Sequence, residues 1–219
     1  MYVGLPALYL YFSRILNECP LMKDETHPMQ DIYIQDKHFE KKDFTQELLP
    51  KGEYEGCLFN NCNFSDVDLS GFRFIDCAFH GCNLSLVKLN KTTLMDINFK
   101  ECKMLGISFD TCNSFGLSFS FDTCQLDHCS FYKVVIKKTV FRNSHLKGAD
   151  FTEADLAAAL IDNCDLAQAI FDRTILEKAD FRTSYNYSID PASNRIKQAK
   201  FSINGLPGLL DKYHIHIEK

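Results

Sequence analysis

The stretch Cys57-Leu-Phe59-Asn-Asn-Cys62-Asn-Phe64-Ser-Asp66-Val67-Asp68-Leu69-Ser-Gly-Phe72-Arg-Phe74-Ile-Asp-Cys77-Ala-Phe79 is built on a spacing of five. A large apolar residue stands at 59, 64, 69, 74 and 79, and a second regular residue, mostly Cys or Val, stands two places before each. Working outward, the large positions continue without a miss from Phe39 to Phe109 and, after a two-residue slip, from Phe121 to Phe181. Helices repeat every 3.6 residues and strands every 2, so neither periodicity generates this pattern. An internal repeat does, and it decides the fold before any local propensity is weighed.

Each unit reads small-polar-large-polar-polar, as in Cys62-Asn63-Phe64-Ser65-Asp66 or Ala149-Asp150-Phe151-Thr152-Glu153. Two residues of each five face inward and three outward. A chain obeying that rule must turn a corner every five residues, or its inward side chains would share no core.

Motifs such as Ala149-Asp150-Phe151, Ala154-Asp155-Leu156, Cys164-Asp165-Leu166 and Ala179-Asp180-Phe181 resemble those of pentapeptide-repeat proteins, over about residues 35–206. The resemblance implies an all-β fold, a right-handed quadrilateral β-helix with four pentapeptides per coil, here with a short C-terminal helix. Residues 20 apart then stack on one face. Phe39, Phe59, Phe79 and Phe99 form one such column, and Phe121, Phe141, Ile161, Phe181 and Phe201 another. With coils ~4.8 Å apart, about eight of them make a rod of roughly 40 Å. Each coil touches only its neighbours, so both ends need capping.

The expected organisation has five parts. Residues 1–30 are an extension outside the repeat, disordered or preceding the true start. Residues 31–109 form the first β-helical segment and 110–120 the register break, where Phe115 and Phe119 fall out of phase with the large positions. Residues 121–206 form the second segment, with a loop near 182–195, and 207–219 form a helix and short strand. In that last part, Leu206, Leu209, Leu210, Tyr213, Ile215 and Ile217 either cap the final coil or meet a second copy. This end is similar to that of the pentapeptide-repeat proteins that protect DNA gyrase from quinolones, where it forms a two-fold dimer interface, so the resemblance implies a homodimer.

A net charge of −5 without long runs of one sign argues against direct nucleic-acid binding, which needs a basic surface. Nine of the ten Cys occupy the small inward site, where a thiol behaves as a small hydrophobe. Reduced thiols point to the cytoplasm, and no Cys or His spacing suits a structural zinc. Cys19 alone lies outside the repeat. Met1 to Leu16 is apolar but too short to span a membrane, and it lacks the basic start and cleavage site of a signal peptide.

No phosphate loop, nucleophile elbow or metalloprotease helix is present. His214 and His216 give too few ligands for a closed metal centre. The sequence therefore reads as non-enzymatic and without cofactor. The resemblance implies a DNA-mimicking binder of DNA gyrase or topoisomerase IV, giving quinolone protection through outward acids such as Asp66, Asp68, Asp155 and Asp165. The alternative is a β-helical scaffold for an unrelated protein partner, because fold alone does not fix function. The basic stretch Lys133, Lys137, Lys138, Arg142 and Lys147 weighs against uniform mimicry. A continuous acidic stripe favours the first reading, and alternating patches favour the second.

Overall fold

In the computed structural model the described residues are 32–218, and the expectations for residues 1–30 and Cys19 lie outside them. The chain winds as a right-handed quadrilateral β-helix of parallel coils. Two faces carry regular strands. One is a four-stranded sheet of β1 (Ile32–Gln35), β3 (Gly52–Glu55), β5 (Arg73–Ile75) and β7 (Thr93–Met95). The other has seven strands in the order β11-β10-β9-β8-β6-β4-β2, from β2 (His38–Glu40) to β11 (Leu160–Asp162), through β4 (Leu58–Asn60), β6 (Ala78–His80), β8 (Ile97–Lys100), β9 (Phe119–Asp122) and β10 (Val140–Arg142). All pairings are parallel, and bridges from Leu160 to Asp180 to Lys200 carry the second face onward.

Registers of 20 residues pair Phe39 with Phe59, Phe59 with Phe79 and Phe79 with Phe99. Across the slip Phe99 pairs with Phe121, so the two columns seen in sequence are one column. Phe59, Phe79, Phe99, Phe121, Phe141 and Phe181 are buried, and Phe201 at the last rung is half-buried. Their rings lie nearly parallel, with Phe59 and Phe79 centroids 4.7 Å apart and Phe99 and Phe121 5.3 Å apart. Rings from adjacent columns meet edge-on, as Phe131 and Phe141 do at 88°. Both arrangements suit the aromatic quadrupole.

The small site has a second job. Cys62, Cys82, Cys102 and Cys124 stack, and their thiols donate to the carbonyls of Phe39, Phe59, Phe79 and Phe99 in the coil below. The Ser184 hydroxyl makes the same bond to Ile161 at 2.6 Å, and Thr92 bonds Leu69 at 2.7 Å. Cys, Ser and Thr are thus interchangeable here as compact donors linking successive coils. Among the described residues nine thiols are free, and only Cys112 is not fully buried. Burial pushes Cys77 and Cys129 up to about 12, which keeps them protonated and inert.

Most corners place one residue in the left-handed region, two after the large site. Gly81 occupies it at φ +64°, but Leu86 at 60°, Thr123 at 58° and Ala158 at 57° do so as well. A side chain there costs roughly 1–2 kcal/mol per residue, so ladder bonds and core burial hold these corners in place. Asp and Asn just before the large residue shape the turn that follows: Asp150 accepts from the Thr152 N–H at 2.8 Å and Asn83 from the Ser85 N–H at 3.2 Å.

The slip is absorbed locally. Asn113 still hydrogen-bonds in the 20-residue register, to Thr92, whereas Phe119 pairs with Ile97, 22 residues back. The two extra residues therefore fall within 114–118. Phe119, out of phase with the large positions, instead fills the small inward site; it is buried, packing against Phe109, Phe121 and Phe131. Phe115 remains 79% exposed.

Near the C-terminus, residues 182–195 keep the 20-residue count, since Arg195 bridges Ile175. The large site passes to the exposed Asn186, at φ 59°, while Tyr187 and Ile189 turn inward. Helix α1 (Pro207–Leu210) has Pro at its first position, between 3₁₀ turns Ile203–Gly205 and Asp211–Tyr213. The short strand expected around His214–Ile217 does not form: His214 lies at φ 49°, which breaks extension at its first residue.

Candidate functional surface

The coil has four outward faces, named here by an inward residue: the Phe59, Phe64, Leu69 and Tyr54 faces. Register assigns every exposed side chain to one of them.

The four acids singled out in sequence do not converge. Asp66 stands at a left-handed corner, its side chain 71% exposed and 4.0 Å from Lys88. Asp68 lies on the Leu69 face in line with Lys88. The Ser70 hydroxyl and N–H hold its carboxyl below the usual range. Asp155 lies on the Tyr54 face, between Val135 and Ile175. Its carboxylate accepts from the Ala157 N–H and meets Lys137 at 3.2 Å, leaving 14% of the side chain exposed. Asp165 lies on the Phe64 face, accepting from the Ala167 N–H and the Asn186 amide. Three of the four are engaged in shaping their own turns.

Acids and bases alternate on the Phe59, Phe64 and Leu69 faces. The Phe59 face carries Glu40, Lys100, Asp122, Arg142, Asp162 and Arg182. The Phe64 face sets Asp43 and Asp165 in a row with Lys103 and His145, and the Leu69 face sets Asp68 and Asp150 with Lys88. The basic stretch Lys133–Lys147 is less than one coil long, so it wraps around the rod and makes no patch.

The C-terminal end presents apolar side chains. Leu206, Leu210, Tyr213, Ile215 and Ile217 are exposed, whereas Leu209 packs against the core. Beneath the helix, Tyr187 packs edge-on against Phe181 and tilted against Phe201, and its hydroxyl is buried without a hydrogen-bond partner. Gly205 and Gly208 give it room: a Cβ on either would strike the Tyr187 hydroxyl or carbonyl. Sequence reasoning missed Tyr187 because it stands one place out of phase. Among the described residues no cluster of three His, Cys, Asp or Glu is placed to hold a metal, and no helix is long and apolar enough to cross a membrane.

Residues 53–120 match the family model of a pentapeptide repeat region, and 124–160 and 149–184 match that of pentapeptide repeats in eight copies, together more than half of the chain. Two trypsin-treated variants of QnrB1, a plasmid-mediated fluoroquinolone resistance protein, share the fold. One superposes with a TM-score of 0.56 at 17% identity, covering 85% of this chain and 100% of its own. The other gives 0.55 at 17%, covering 86% and 100%. At that identity the likeness is one of fold. No curated protein matches the sequence.

Proposed function

Because the chain belongs to the pentapeptide-repeat family, we propose that it acts without catalysis, as a stiff rod whose flat faces bind another protein. The observation that carries this reading is the alternation of charge on three of the four faces, the Phe59, Phe64 and Leu69 faces. A DNA mimic needs an unbroken run of negative potential to attract a DNA-binding saddle, and here Lys100, Arg142, Arg182, Lys103 and Lys88 interrupt the rows. Alternating patches suit a protein partner with complementary charges. The free, mostly buried thiols fit a reducing cytoplasm.

A second reading, binding to a type II topoisomerase with quinolone protection, is favoured by the exposed Leu206, Leu210, Tyr213, Ile215 and Ile217. That end offers apolar surface through which two copies would join on a two-fold axis into a longer rod. QnrB1, described as a fluoroquinolone resistance protein, has the same fold.

A DNA gyrase supercoiling assay with and without a quinolone separates the two. The scaffold reading expects no change in supercoiling across micromolar protein, with partners then found by pull-down. Rescue of quinolone-poisoned gyrase, or its direct inhibition, would overturn it in favour of the second.

A further inference from the structure

The Tyr54 face differs from the other three. Its charges are segregated along the rod. Before the insertion it displays Asp36, Glu53, Glu55, Asp76 and Asp96 against the single cation Arg73. Beyond it the same face displays Lys137, Lys138, Lys178, Arg195 and Lys197 against Asp155 and Glu177. Asp36, Asp76 and Asp96 stand at one left-handed corner, and Lys138 and Lys178 continue that corner, at φ 51–54° and 62° respectively. Arg73 is taken up by Glu53 at 2.8 Å, Lys137 by Asp155 and Arg195 by Glu177. Asp36, Asp76 and Asp96 meet no cation, and Lys138, Lys178 and Lys197 no carboxylate, among the described residues.

The division falls at the midpoint. Four rungs, starting at Tyr33, Glu53, Arg73 and Thr93, precede the insertion, and four, starting at Val135, Asp155, Ile175 and Arg195, follow it. The centres of opposite charge lie about five rungs apart, roughly 24 Å at strand spacing. That exceeds the Debye length of ~8 Å at physiological salt, so the halves do not neutralise each other within one chain. Between them sits apolar surface: Phe115, 79% exposed, Val135, 61% exposed, Leu117 and the half-buried Met95. A cavity of about 130 Å³ opens beside it, lined in part by Leu117, Tyr132 and Val135.

We propose that the Tyr54 face is a docking surface for a second copy of this chain, laid antiparallel about a two-fold axis through the insertion at Phe115. A two-fold contact must be self-complementary, and a face acidic on one side of its midpoint and basic on the other meets that condition. In this arrangement Asp36 meets the rung of the partner that carries Arg195 and Lys197, and Asp96 meets the rung with Lys137 and Lys138. The two Phe115 side chains meet near the axis, where an apolar centre inside a polar rim is the usual interface anatomy. The contact is independent of the C-terminal end and of any topoisomerase.

The test is sedimentation velocity of the full chain carrying Ile215→Asp and Ile217→Asp, so that association through the C-terminal end is removed. At 50 mM salt this chain sediments as a dimer, and at 500 mM as a monomer. Lys138→Glu with Lys178→Glu makes both halves acidic, and Asp36→Lys with Asp76→Lys cancels the net charge of the acidic half. Each variant loses affinity at least tenfold, and an equimolar mixture of the two recovers a heterodimer. The substitutions suit their corners, since Glu153 and Lys133 already occupy left-handed corners at φ 58° and 59°. Phe115→Ser weakens the dimer without changing its salt dependence. A monomer at 50 mM salt, or a dimer indifferent to charge reversal, or a mixture that fails to associate, overturns the proposal.

Discussion

Replacing Phe79 by Ala tests the stacked column where it is most constrained. Phe79 is 2% exposed and lies between Phe59, at 4.7 Å and 6°, and Phe99, at 5.3 Å and 24°. Phe64 and Phe74 meet it edge-on at 5.8 and 5.6 Å. Truncating a buried Phe costs about 3–5 kcal/mol, more where the site cannot collapse. Here the rungs above and below are held apart by ladder bonds, so the cavity persists and the cost belongs at about 5 kcal/mol. Phe39 on the first described rung is half-buried and stacks on one rung only, on Phe59, so Phe39→Ala should cost roughly half as much by the same scale. Urea unfolding followed by circular dichroism measures both. Equal costs at the two positions, or a loss below about 1.5 kcal/mol at Phe79, would refute the argument that the stack is cooperative across rungs. Phe79→Asp adds an unpaired buried charge and should prevent folding of the adjoining coils.

Thr123 is a β-branched residue at φ 58°; Thr123→Gly should raise stability by about 0.5–1 kcal/mol, strain relief outweighing the added chain entropy, as read by thermal unfolding. Cys102→Ser keeps the donor to the Phe79 carbonyl and should cost within about 1 kcal/mol, whereas Cys102→Leu should cost about 1–3 by overpacking; equal losses would show that the bond to the coil below is irrelevant. Arg182 binds Asp180 through Nε and Nη2 at 2.9 and 2.7 Å, holding its carboxyl below the usual range. Asp180→Asn should therefore lower stability above about pH 4, and the difference should close as pH falls through the depressed native pKa. A difference that persists at pH 2 would assign the loss to packing. A thiol reagent applied to native protein should reach Cys112 well before the buried cysteines, and rapid labelling of several sites would contradict the inward assignment.

The large positions were legible because one residue type in one phase suffices to mark them; Phe59 through Phe141 needed no structure to be placed inward. What sequence obscured is phase shift. Phe119 looks misplaced until the extra residues are located in 114–118, after which it falls on the small site. Tyr187 substitutes for the exposed Asn186 one place later, a swap that no five-residue count detects. The acids were read from sequence only as outward, and outwardness has four directions. Asp66, Asp68, Asp155 and Asp165 separate onto different faces and corners once residues are counted in twenties. The same count, carried across the slip, brings Asp36, Asp76 and Asp96 into line with Lys138 and Lys178, which distance along the chain conceals.

The 22-residue coil shows that this rod tolerates an addition by extruding it and then resuming the same phase. Length in such a molecule is a counted quantity. A cut or gain of twenty residues moves every later side chain by one whole rung, leaving its direction unchanged, while a change of one or two is pushed to the surface as a knuckle like Phe115. Excising residues 61–80 should thus give a shorter, intact rod of the same cross-section, with three acidic rungs facing four basic ones on the Tyr54 face. Its core would be whole and its symmetry broken, so a property of the assembly would change while the fold of the single chain did not.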